Sequence, residues 1–161
     1  MERWLPVWEI LLGSVALILS LLLHGLGMAY VQKTHRDFQQ WQHFHAYHQL
    51  TFSVLILMLA ATHFFEVLLW AGALTAIGVI TVFRDSFYYT AVTYTTLGYA
   101  ENTLSHQWRI LAPMMAMSGV FAFGWTTSVL FAIVSDQAKA IRESSRSAHD
   151  GDPASHDRGA S

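Results

Sequence analysis

Three stretches of this chain leave little choice of environment. Ile10 to Gln32 carries no charged side chain, Gln49 to Phe83 carries one, Glu66, and Ile110 to Val134 carries none. About 20 apolar residues, rising 1.5 Å each as a helix, cross the hydrocarbon core of a bilayer. Only 12% of the residues are charged and 53% are hydrophobic, against about 25% charged in soluble domains. These runs define an integral membrane protein of one domain in 161 residues. A net charge of -2 gives nucleic acid nothing to bind. With no cysteine there is no disulfide framework and no thiolate metal site.

Taken in order, residues 1–32 read as an amino-terminal transmembrane helix. A cleaved leader is the competing reading. It is disfavoured because Glu2 opposes Arg3, the apolar run exceeds the usual 7–15 residues, and no small-x-small site ends it. Residues 33–48 form a cytoplasmic interfacial linker. There Phe38, Trp41, Phe44 and Tyr47 recur every third residue, as on a short helix at headgroup level. The second apolar stretch is too long for one upright crossing. It divides into an outer helix over 49–71 and an apolar linker over 72–85. The last crossing spans 108–135, with Pro113 expected to kink its outer half. The tail, 136–161, is polar, and disorder is expected beyond about Ser144. Lys33 and Arg36 flank one loop, and Lys139, Arg142 and Arg146 follow the last crossing. The positive-inside rule puts both in the cytoplasm and the amino terminus outside, in the cell membrane.

Between the second and third crossings lies Ser86-Phe87-Tyr88-Tyr89-Thr90-Ala91-Val92-Thr93-Tyr94, then Thr95-Thr96-Leu97-Gly98-Tyr99-Ala100-Glu101. The first part reads as a short aromatic helix over 86–96, the second as an extended return loop over 96–101. Non-helical backbone at membrane depth survives only inside protein or beside a water-filled path. Rings of its carbonyls can replace a cation's hydration shell.

The loop resembles the potassium-channel signature Thr-Thr-Val-Gly-Tyr-Gly-Asp, and the segment before it is similar to the pore helix of the ion-channel pore-domain family. The resemblance covers roughly residues 49–135. It implies an all-α membrane protein with three transmembrane helices, a re-entrant pore helix and a selectivity-filter loop, assembled as a homotetramer around one pore. It implies a passive potassium channel, not an enzyme. Thr96, Leu97, Gly98, Tyr99 and Ala100 line the filter, and Glu101 forms an acidic ring at the mouth. Gly119 and Gly124 are candidate gating hinges on the inner helix, with close helix contact as the other use of glycine there. K+ is the conducted species, no cofactor is implied, and the partners are other copies of the chain, lipid and monovalent cations.

At Ala100 the sequence departs from the family, which has a second glycine. A left-handed backbone there would cost an L-residue about 1–2 kcal/mol, so the alternative is a weakly selective cation pore. Tyr88, Tyr89 and Tyr94 are candidates to brace the filter, with plain aromatic packing favoured for each. Val92 brings no carboxylate to that position, which leaves Glu66 as the candidate support, braced on the pore helix or paired with His63 or Arg109. From another class comes a His-ligated membrane metal or haem protein, using His35, His43, His45 and His48 or the intramembrane His24 and His63. The expected topology sets His24 and His63 toward opposite faces of the membrane, which counts against that reading. A non-conducting, pore-like subunit needing a partner is a third possibility.

Overall fold

The structure is a computed structural model and describes residues 5–39, 45–99 and 104–150. Four α-helices account for most of them: α1 (Leu5–Gln39), α2 (His45–Ala76), α3 (Phe83–Tyr94) and α4 (Leu111–Asp150), with one 3-10 turn at His106–Trp108 before α4. Three segments are long and apolar enough to cross a membrane: Val7–Phe38, Leu50–Ala76 and His106–Lys139.

The long helices overshoot the expected spans. Residues 33–39 continue α1 and α2 already begins at His45. The expected interfacial linker is therefore largely absorbed into two helix ends, and Trp41 and Phe44 lie outside the described residues. Likewise α4 runs on to Asp150, into the tail expected to lack order. Gln137-Ala138-Lys139-Ala140-Ile141-Arg142-Glu143 is made of good helix formers, which can propagate an existing helix cheaply. Pro113 sits in the first turn of α4. Its missing N–H would have had no partner within the helix there, so the expected mid-helix kink has no cause.

The chain divides into two units, one ending at Thr126 and one beginning at Thr127. In the first unit, α1 is packed by its polar side. Glu9, Gly13, Ser20, His24, Met28, Val31 and His35 are buried, while Val15, Ile18, Leu22 and Leu26 are exposed. Lipid is as apolar as leucine, so apolar side chains gain little by facing protein, whereas polar ones cannot face lipid. The buried positions repeat every three, four or seven residues and so share one face.

Contacts set the helix directions. A Cβ at Gly27 would meet Thr62, and Ser20 and His24 meet Glu66, so α1 and α2 are antiparallel. Gly13 faces Leu111 and Met114, and Gly25 faces Trp125, so α1 and the first half of α4 are parallel. Glu9 accepts a hydrogen bond from the Ile110 N–H. That puts a carboxylate on the amino end of α4, where the helix dipole favours negative charge. Trp70, Leu74, Leu111, Met115 and Tyr94 form the centre of the buried cluster, with the Trp70 indole N–H donating to Ser118 Oγ at 3.1 Å.

The second unit is the remainder of α4. It is apolar as far as Val134 and polar beyond, with Lys139 and Asp136 3.8 Å apart on its exposed surface.

Candidate functional site

α3 hangs from the end of α2. That end is closed by a left-handed Gly78 (φ 74°), with the Val79 N–H bonded to Leu74 O at 3.0 Å and the Gly78 N–H to Thr75 O at 3.1 Å. This is a Schellman cap with glycine at its usual place. It turns the chain back within a few residues, so the expected apolar linker shrinks to 77–82. Ser86 Oγ then donates to Ala71 O at 2.8 Å, which ties the first turn of α3 to α2.

From there α3 runs down the bundle. Its last residue, Tyr94, meets Glu66 and His63 on α2 and Gly119 on α4. Gly119 lies eight residues into α4, about 12 Å from its start. The Tyr94 carbonyl comes so close that a Cβ at Gly119 would lie 2.0 Å from its oxygen. Glycine is therefore required at 119 for helix contact. Gly124 has nothing within 4 Å of where its Cβ would be.

The end of α3 is also a Schellman cap. The Leu97 N–H bonds to Val92 O at 2.9 Å and the Thr96 N–H to Thr93 O at 3.0 Å. Here the left-handed residue is Thr96, at φ 59°. A β-branched residue in that region is a genuine outlier, and such strain gathers at functional sites. Gly98 follows, again left-handed at φ 74°. Thr95 to Tyr99 is therefore non-helical, and Leu97 and Tyr99 are exposed, Tyr99 by 75%. Ala100 and Glu101 lie outside the described residues. α3 spans 83–94 against the expected 86–96, because the turn at Thr95–Thr96 ends the helix two residues early.

Glu66 is completely buried. Its Oε2 accepts from the Tyr94 hydroxyl at 2.7 Å and from Ser20 Oγ at 3.2 Å, and its Oε1 lies 2.6 Å from His24 Nδ1. Burial first, then the bond to Glu66, hold the Tyr94 phenol far above its ordinary range, so it stays a donor. The Tyr94 oxygen also lies 2.9 Å from His63 Nδ1. On the far side of the rings, Thr126 Oγ1 lies 2.9 Å from His63 Nε2 and 3.4 Å from His24 Nε2. Glu66 thus meets the end of α3, as one of its expected roles required. Its direct imidazole partner is His24, in place of the expected His63 or Arg109.

His24 and His63 do not sit toward opposite faces. Their ring centroids are 5.3 Å apart. They share one depth because the helices extend past the apolar spans: His24 lies 15 residues before the end of α1 and His63 lies 18 after the start of α2. Both Nε2 atoms point at one hydroxyl, an arrangement without the planar gap that a haem between them would need. Of the remaining candidates, Tyr88 is exposed and Tyr89 is buried. His35 is buried in α1. His43 lies outside the described residues, as do the side chains of His45 and His48.

Ser20, Thr126 and Glu9 escaped the sequence reading as site residues, and His24 entered it only as a metal or haem ligand. The signal was present for Ser20, which lies four residues from His24 and so shares its helix face, as His63 and Glu66, three apart, share theirs.

No curated protein and no solved structure matches the chain significantly. A family model described as an ion channel matches residues 16–136, three-quarters of the sequence, taking in α2 and α3 whole and the greater part of α1 and α4. With that match lying over a short aromatic helix, a left-handed Thr-Leu-Gly turn and three helices able to cross a membrane, the chain belongs to the two-transmembrane-type ion-channel pore family.

Proposed function

We propose that the chain is a passive, potassium-selective cation channel, formed by four copies around one axis. α3 is the re-entrant pore helix, and the carbonyls of Thr96 to Ala100 are the filter. The observation that carries this reading is the end of α3. There the backbone leaves the helix through left-handed Thr96 and Gly98, in a Thr-Thr-Leu-Gly-Tyr sequence. From Thr95 to Tyr99 the backbone has left the helical ladder, and a cation can use its carbonyls in place of water. Two further features support it. α2 and α4 are antiparallel, so the segment from 77 to 110 leaves and returns at one end of the bundle. Leu97 and Tyr99 are bulky and exposed on a single chain, as expected of surfaces that other copies cover. The amino terminus and the filter mouth face outward and the carboxyl tail faces the cytoplasm, by the distribution of Lys and Arg. Glu101 gathers cations at the mouth, and Gly124, where an added Cβ would meet nothing within 4 Å, is the position where α4 bends to open.

The second reading, a weakly selective cation pore, rests on Ala100 alone. Bilayer recording of the purified protein in asymmetric potassium and sodium separates the two. Reversal near the potassium equilibrium potential supports the first, and reversal near zero the second. No current in any monovalent cation refutes both. Ala100→Gly, recorded alongside, raises the potassium preference if the missing glycine limits it.

A further inference from the structure

We infer that His24, His63 and Glu66 form a binding site for a divalent transition-metal ion of the zinc class. This site is distinct from the filter and does not depend on the channel reading. Three helix positions bring two imidazoles and one carboxylate together, with one ligand atom of each within 4.8 Å of the others. Both rings turn the same way, and each is held by a hydrogen-bond partner at either nitrogen. The two Nε2 atoms converge on Thr126 Oγ1, at 3.4 and 2.9 Å. The two Nδ1 atoms turn toward Glu66: that of His24 lies 2.6 Å from Oε1, and that of His63 reaches Oε2 through the Tyr94 hydroxyl by steps of 2.9 and 2.7 Å.

Two imidazole nitrogens and a carboxylate oxygen make a donor set suited to zinc and its neighbours and too nitrogen-rich for calcium or magnesium. Bonds of 2.0–2.2 Å to one tetrahedral ion put its ligand atoms about 3.3 Å apart. Reaching that spacing from here closes the widest pair by at most about 1.5 Å and opens the His24–Glu66 pair by about 0.7 Å. Side-chain torsions cover both. The Tyr94 hydroxyl or a water takes the fourth position. Thr126 supplies the outer support that metal-bound imidazoles require, since one hydroxyl oxygen can accept from both Nε2–H groups. His24 and Glu66 are fully buried and His63 is partly exposed, so the ion enters past His63. Without metal, the hydrogen bond between His24 Nδ1 and Glu66 Oε1 holds the same groups together.

The test uses the full-length protein in detergent, with His43, His45 and His48 changed to Gln to remove competing histidines. Cobalt(II) is titrated as the probe and zinc as its competitor. The expected result is one cobalt per chain, visible bands of the intensity typical of tetrahedral coordination, and their loss on adding zinc. X-ray absorption of the zinc-loaded parent should give two imidazole nitrogens, a readout that needs no variant at the site. His63→Gln, at the least buried ligand, abolishes the bands, and Thr126→Val weakens binding about 10–100-fold. Ser118→Ala leaves binding unchanged. A parent that takes up no stoichiometric cobalt overturns the inference, and the cluster is then a hydrogen-bonded network only. Bands that survive in His63→Gln also overturn it, because the metal then sits elsewhere.

Discussion

Gly119→Ala and Gly124→Ala should act in opposite directions, five residues apart on the same helix. An alanine Cβ at 119 would lie 2.0 Å from the Tyr94 carbonyl oxygen, where ordinary contact begins near 3.4 Å. α4 and the end of α3 must therefore separate by about 1.4 Å. The obstructing atom is backbone, with the Tyr94 hydroxyl fixed on Glu66, so no side chain can swing aside. Overpacking of this kind costs about 1–3 kcal/mol, and a rigid obstacle puts it at the upper end. Alanine regains about 1 kcal/mol of helix propensity over glycine. The net loss is about 2 kcal/mol per chain, felt in every copy of an assembly. An alanine Cβ at 124 would meet nothing within 4 Å, so only the gain of about 1 kcal/mol remains. Thermal unfolding of the purified proteins in one detergent, followed by circular dichroism and by gel filtration of heated samples, measures both. Gly119→Ala should unfold well below the parent and Gly124→Ala at or above it. Equal stability of Gly119→Ala and the parent would refute the close approach of α4 to Tyr94. If Gly124 is where α4 bends, Gly124→Ala should also lower the open fraction in recordings without lowering stability.

Three further outcomes follow from named contacts. Glu66→Ala strands the Tyr94 hydroxyl and His24 in a buried site and should cost about 3–5 kcal/mol. Glu66→Gln keeps an acceptor for Tyr94 and should cost about half that or less in the same unfolding assay; equal losses for the two, or unaltered current in Glu66→Gln, would end the bracing role. Trp70→Phe keeps the ring but loses the bond to Ser118, which still donates to Met115 O at 2.7 Å. The expected loss is about 1 kcal/mol, and a loss above about 3 kcal/mol would mean the indole is packed more tightly than its single bond implies. The Thr90 hydroxyl is buried on α3 without a hydrogen-bond partner, so Thr90→Val should leave stability unchanged or raise it by about 1 kcal/mol. A marked fall would reveal a partner supplied by another copy or by water.

How much of this was legible in the sequence depends on what each signal measures. The spans were legible because absence of charge over some 20 residues reports directly on the lipid. α3 was legible because the residues before Thr95 are aromatic and the residues after it are not helical. Helix ends were not, since hydropathy stops at the headgroups while α1 and α4 run on through Lys33–Gln39 and Asp136–Asp150. Nor was the register between helices. Glu9 meeting Ile110 and His24 meeting Glu66 depend on where two helices end and on their phase, which no local pattern encodes. Gly119 had two uses open to it, and only the position of the Tyr94 carbonyl chooses between them. In this setting the polar residues carry the packing information that apolar residues carry in a soluble core, because the lipid makes leucine indifferent.

The two Schellman caps, compared, set the segment after α3 apart from an ordinary helix end. α2 and α3 end in the same hydrogen-bond pattern, and each needs one left-handed residue. At 78 the chain uses glycine and incurs no strain. At 96 it uses threonine, whose branched Cβ makes that conformation cost about 1–2 kcal/mol. A glycine would have served the turn better and carries the same carbonyl, so the threonine is there for its side chain and not for the cap. Such strain persists only where the surroundings over-determine it. Tyr94 supplies that: its hydroxyl lies on Glu66 and His63, its carbonyl against Gly119, and its ring centroid 5.6 Å from that of Phe123. With the residue two positions earlier held from two other helices, Thr96 cannot relax into the ordinary regions of backbone space. The buried polar cluster is thus the reason the exposed loop keeps its shape. Loosening it at Glu66 should be felt first at Thr96.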